Sequence, residues 1–230
     1  MHLASVVAGL LPGATLTLAS GSAYSGRSSC GWRLMSPASA RDASNDPRPI
    51  TIRGGGAGME AVLIDCQAYG PVMEGVLIDV HLQLRGIHFT NAFRSGSGGG
   101  VLSAELGSTV VLENVRVTNS SSAGRGGCIL MRNSSSLVIR GSHFEENTAV
   151  ENGGSLALVD GVRATVTESI FTRCSGASGG AISMAHGCTI ALEGVLFSLN
   201  DATGVGGGAV FVGDNCTLGR NSRKSQLYVQ

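Results

Sequence analysis

Two glycines, a small residue and an aliphatic residue recur along the second half of this chain: Gly98-Gly99-Gly100-Val101, Gly126-Gly127-Cys128-Ile129, Gly153-Gly154-Ser155-Leu156, Gly179-Gly180-Ala181-Ile182 and Gly207-Gly208-Ala209-Val210. Two further tracks run in phase with this one. Phe89, Val117, Phe144, Phe171 and Phe197 each stand two or three residues ahead of Asn91, Asn119, Asn147, Cys174 and Asn200. Leu82/Leu84, Val110/Leu112, Leu137/Ile139, Ala164/Val166 and Ile190/Leu192 keep a period of two within each unit. Three tracks locked at a step of about 27 residues mean a repeat array.

A unit of that length, cut into short apolar stretches by Gly, Ser, Asn and Asp, has no room for the 3.6-periodic run that a helical repeat needs. In Ser136 to Val162, Leu137 and Ile139 face one way, Phe144 belongs to a second stretch, and Leu156 and Leu158 form a third. Turns fall at Gly141, at Asn147 to Asn152 and at Asp160-Gly161. One unit is therefore one rung of a coil of strands, with rungs stacked roughly 4.8 Å apart. Parallel crossovers are right-handed, so the predicted fold is all-β, a right-handed parallel β-helix of about 27 residues per rung. Phe89, Val117, Phe144, Phe171 and Phe197 are predicted to stack inside it.

Residues 82–218 carry the regular rungs, and 1–81 read as an N-terminal cap with irregular first rungs. Leu3 to Leu11, closed by Pro12-Gly13, is read as a short capping helix; its rival is a signal-peptide core, which lacks a preceding Lys or Arg and a clear cleavage site. Three prolines among Ser, Asp and Arg make 36–49 an exposed loop, and 219–230 a polar C-terminal tail.

With 16 basic and 16 acidic residues the chain has no charge bias that would recruit nucleic acid or an anionic membrane. No apolar run reaches the roughly 20 residues of a transmembrane helix. The six cysteines show no Cys-x-x-Cys, and no zinc pattern. Cys128 sits in the small-residue slot and reads as a buried small hydrophobe. Cys188 and Cys216 share one slot 28 residues apart, so a disulfide and a stack of free thiols both fit that pair. Cys30 and Cys66 flank the irregular loop, where a bridge needs an oxidising compartment. Asn119, Asn133 and Asn215 begin Asn-x-Ser/Thr sequons, a weak sign of secretion.

Cleavage of a polysaccharide needs two facing carboxylates, or an acidic calcium cluster with a base. The candidates are Asp65, Asp79, Glu105, Glu113 and Glu168. Glu113 and Glu168 read as one outward slot on two rungs with Arg140 between them, and His88 and His143 as another, with Arg116 between. This is the pattern of solvated charges on an outer face, so no catalytic residue, metal ligand or cofactor site is assigned.

Gly179-Gly180-Ala181-Ile182, with Phe144 to Asn147 and Phe197 to Asn200, resembles the paired G-G-A-I and F-x-x-N repeats of the chlamydial polymorphic membrane proteins; similar repeats occur in large pectin-lyase-like β-helix proteins. The resemblance covers residues 82–218. It implies a surface-exposed passenger that takes part in adhesion and is exported through a C-terminal β-barrel. This chain departs from the pattern: no barrel-like strands follow residue 218, Val117 and Cys174 replace a Phe and an Asn, and Asn91 and Asn119 come one residue early. The expected function is a non-catalytic extracellular or cell-surface β-helix, an adhesive surface or rigid spacer facing surface glycans or a cell-surface protein. The alternative is a carbohydrate-active enzyme, whole or truncated.

Overall fold

Alternation of apolar and polar residues drives the stretches of the first two sheets into strands, each ended by a positive-φ corner such as Gly141 or Glu146. In one rung the strands are Ser136–Arg140, His143–Glu145, Thr148–Ala149 and Leu156–Val159. Each pairs in parallel with its counterparts one rung away, which among the described residues builds four sheets of eight, eight, five and six strands. They are called the first to the fourth sheet below, in the order a rung visits them. The computed structural model describes residues 3–34, 48–55, 62–204, 206–220 and 228–229.

Register follows the predicted tracks. Leu82, Val110, Leu137, Ala164 and Ile190 are partners in the first sheet. Phe89, Val117, Phe144, Phe171 and Phe197 are partners in the second. All five side chains of the second set are fully buried. Phe144 stacks on Phe171 with centroids 4.7 Å apart, and Phe171 on Phe197 at 5.3 Å, while Trp32 meets Phe89 edge-on at 5.9 Å. Aromatic rings in such geometry add to the burial of their area.

One alignment shifts. Leu102, not Val101, pairs with Ile129, so the first glycine block is Gly99-Gly100-Val101-Leu102, and Val101 takes the buried slot of Cys128, Ser155 and Ala181. A third consecutive glycine hid this one-residue offset. The second glycine of the first four blocks is fixed by crowding: a Cβ on Gly127 or Gly154, for example, would overlap the carbonyl of the next block, at Gly154 and Gly180 respectively.

The irregular first rungs expected before residue 82 share the register of the regular ones, and the coil continues past residue 218. Thr15–Leu18 pairs with Ile50–Gly54, and that strand with His81–Arg85, so the first rungs keep register although their loops are longer. Tyr228–Val229 pairs with Leu196 and Phe197, which makes part of the polar tail a strand. Two β-forming residues suffice where a neighbour's edge is open. The helix Leu3–Ala8 buries Leu3 and Val7 against the N-terminal end of the core. Cys30 and Cys66, both buried, form a disulfide with Cα atoms 5.6 Å apart. The exposed loop expected at 36–49 lies, as far as residue 47, outside the described residues, as do 221–227 of the tail.

Candidate functional site

The outward face of the second sheet carries the densest set of chemical groups. Alternation points Phe144 inward and His143 and Glu145 outward, and pairing then lines up His88, Arg116, His143, Ile170 and Leu196 in one row and Thr90, Thr118, Glu145 and Thr172 in the next. His88 Nε2 lies 2.9 Å from Thr118 Oγ1, which in turn donates to Thr90 Oγ1 at 2.9 Å. Arg116 Nη2 donates to Glu145 Oε2 at 2.9 Å. Arg173, at the corner of the next rung, donates to Glu145 Oε1 and, through Nε at 2.9 Å, to Glu146. Glu145 is held below the usual carboxylate range, chiefly by the Arg116 hydrogen bond. Burial, opposed by Glu145 and assisted by Arg116 and Arg173, holds His143 below the usual imidazole value. His143 Nε2 is buried, 3.9 Å from Glu145 Oε2.

The five acids singled out from sequence do not converge. Asp65, on the second sheet, accepts from the Gln67 N–H at 2.9 Å and from Asn91 Nδ2 at 2.8 Å. Glu105 faces Arg132 at 4.0 Å and Asn133 at 3.4 Å on the fourth sheet, and Asp79 sits at a positive-φ corner. Glu113, on the first sheet, is clamped by Arg85 at 2.9 Å and Arg140 at 3.0 Å. Glu168 is not in the Glu113 slot: Thr167 pairs with Arg140 there, and Glu193 follows it. Glu168 turns the corner itself, exposed, with φ of 49°. Counting from the core aliphatic Val166 misplaced it by one residue. Glu145, Glu146 and Arg173 were missed, although alternation from Phe144 puts Glu145 on the same face as His143.

A notch of about 410 Å³ opens beside the second and third sheets, lined by Tyr69, Gly70, Glu74, Phe93 and Arg94. Its one carboxylate, Glu74, is tied to Arg33 at 2.9 Å and held below the usual range by that bond. Among the described residues no three His, Cys, Asp or Glu side chains group as metal ligands. No helix among them is long and apolar enough to cross a membrane.

Cys188 and Cys216 stack in the predicted slot with free thiols. The slot runs Val80, Ser108, Ser135, Val162, Cys188 and Cys216, and its hydroxyls bond backbone: Ser108 Oγ donates to the Glu105 carbonyl at 2.8 Å and accepts the Val80 N–H at 3.2 Å. Cys188 Sγ donates to the Ala185 carbonyl at 3.1 Å, and Cys216 Sγ accepts the Cys188 N–H at 3.3 Å. Sulfur thus does the work of the serine oxygen, and the ladder forms without a bridge.

A coil whose rungs stack in register over four parallel sheets is decided by its periodicity, and a family model described as a right-handed beta helix region matches residues 50–222. The chain belongs to the right-handed β-helix family. Comparison with curated proteins and with solved structures gives no match. The handedness predicted from crossover geometry is that of the family. As a right-handed β-helix the molecule offers long ladders of like-placed side chains, and chemistry on it must be assembled across rungs, from residues about 27 apart in sequence.

Proposed function

We propose that this β-helix acts at a cell surface or outside the cell as an adhesive surface or rigid spacer, without catalysis. The observation that carries this reading is the state of its acids. On the second sheet Glu145 is neutralised by Arg116 and Arg173, on the first Glu113 by Arg85 and Arg140, and in the notch Glu74 by Arg33. A glycosidase needs one carboxyl group protonated and a second ionised across a glycosidic bond, and a lyase needs acids left open for calcium. Guanidinium clamps oppose both. The Cys30–Cys66 bond supports an oxidising location, and the repeat resemblance supports adhesion to surface glycans or to a cell-surface protein.

Purified protein incubated with pectate, pectin and related polyuronides, with and without calcium, is expected to release no unsaturated or reducing ends. Release that disappears in Asp65→Asn or Glu145→Gln would instead establish a carbohydrate-active enzyme. Retention of the intact protein on glycan-coated or cell-derived surfaces is the positive measurement for adhesion.

A further inference from the structure

We propose that Cys188 and Cys216 form a second disulfide site, reversible in character, that latches the C-terminal end of the coil. Pairing of Thr189 with Thr217 sets the two cysteines side by side on adjacent rungs, one residue earlier. Neighbouring parallel strands lie about 4.8 Å apart, inside the range of Cα separations of roughly 4.4 to 6.8 Å that a disulfide spans. Cys216 Sγ already rests against the Cys188 backbone, accepting its N–H at 3.3 Å. The pair differs in access: Cys216 is half-buried and Cys188 buried. Cys128 and Cys174 are fully buried, out of reach of a soluble oxidant.

Exposure makes Cys216 the first to react. Its thiolate attacks one sulfur of a small disulfide such as glutathione disulfide, whose S–S bond breaks to leave a mixed disulfide on Cys216 and one glutathione thiolate. The Cys188 thiolate then attacks Cys216 Sγ and expels the second glutathione. Two protein thiols are oxidised, one glutathione disulfide is reduced, and the two cysteine protons end on the two glutathione thiols. Burial pushes the Cys188 thiol above its ordinary pKa, so the second step speeds up with rising pH.

The bond falls at the start of the last described strand of the first sheet. A Cβ on Gly180 would meet the Gly208 carbonyl of the rung above it, whereas among the described residues one on Gly208 would meet only the Asn200 carbonyl of its own turn. Rungs with a neighbour on one side open first. Tying Cys216 to Cys188 fastens Thr217–Arg220 to Thr189–Glu193 at the residue where their pairing begins.

The test uses the full chain, equilibrated in reduced and in oxidised glutathione, followed by non-reducing peptide mapping and amide exchange. The expected result is a linked Cys188–Cys216 peptide that dithiothreitol reverses, with exchange in Thr217–Arg220 about tenfold slower or more in the oxidised sample. Cys216→Ser is the control that folds, because serine already fills this slot at Ser108 and Ser135; its exchange should not respond to oxidant. Thiols that both remain open to alkylation, or a mixed disulfide with glutathione on Cys216 that goes no further, would overturn the site. A linked peptide without slower exchange would overturn the latch. None of these outcomes depends on whether the protein is adhesive.

Discussion

Asn147 shows why an asparagine track runs through the coil. Its side chain is fully buried, accepts the Ser120 N–H at 2.9 Å and donates to the Val117 carbonyl at 3.0 Å, closing the turn of the rung below. Asn200 does the same for Cys174 and Phe171. Asn91 and Asn119 come one residue early because they serve a different purpose: they are the corner residues themselves, with φ of 54° and 50°, a conformation asparagine tolerates. Replacing Asn147 with Leu leaves one buried donor and one buried acceptor unmet, each costing about 1 to 3 kcal/mol, so denaturant unfolding should show a loss of roughly 2 to 6 kcal/mol. Asn91→Leu, at a half-buried corner, should cost roughly 1 to 2 kcal/mol from backbone strain, with the loss of its bonds to Asp65 and Asn119 added. His143 offers a pH test. Its folded pKa is depressed, so below about 6.5 the unfolded chain binds a proton that the folded chain resists, and stability falls as the pH drops through that window. Glu145, also depressed, adds a further loss as the pH falls below the usual carboxylate value of about 4.5. Between about pH 7 and pH 5 the unfolding midpoint of the wild type should fall more steeply than that of His143→Gln, which lacks this titration.

At the scale of a single turn, strand and corner divide the labour differently from what composition suggests. The glycines look alike in sequence, yet they answer to two separate constraints. Gly161 turns a corner with φ of 75°, where an added Cβ would lie 3.4 Å from Ser134 Oγ. Gly154 has ordinary φ but no space, since its Cβ would be driven into the Gly180 carbonyl of the next rung. Gly161→Ala should therefore cost only the left-handed penalty of roughly 1 to 2 kcal/mol. Gly154→Ala should cost at least about 3 kcal/mol, because the obstacle is hydrogen-bonded backbone and cannot step aside. Equal losses in chemical denaturation would show that the stacking of glycine blocks has been misjudged. The hydroxyl ladders follow the same logic: Ser142 Oγ accepts the Val115 N–H at 3.2 Å and Ser169 Oγ the Ser142 N–H at 3.1 Å, which knits one turn to the next where strand pairing lapses.

Across the whole molecule, stability is a sum of rungs and of the contacts between them. The N-terminal end is covered by a helix and stapled by Cys30–Cys66, while the C-terminal strands of the third and fourth sheets, Asp201–Ala202 and Val210–Val212, have no described neighbour beyond them. Under reducing-agent-free conditions with Cys188 and Cys216 as thiols, amide exchange should be fastest in Val210–Val212 and slowest in the central strands Leu137–Ile139 and Leu156–Leu158, a gradient that a globular core of uniform stability would not produce. The coil, its step, its inward rows and the neighbours of nearly every core residue are written along the chain, because in-register stacking turns a one-dimensional period into three-dimensional contact. Phe144 on Phe171 and Cys188 beside Cys216 were legible for that reason. The packed coil settled what the period does not encode. It put Glu168 at a corner and Thr167 in the row with Arg140, moved the first glycine block by one residue, carried the register back to Thr15, and brought Arg173 onto Glu145. Those outcomes depend on the exact residue at which each corner turns and on the rotamers of long charged side chains. Neither carries a hydrophobic signal strong enough to read along the chain.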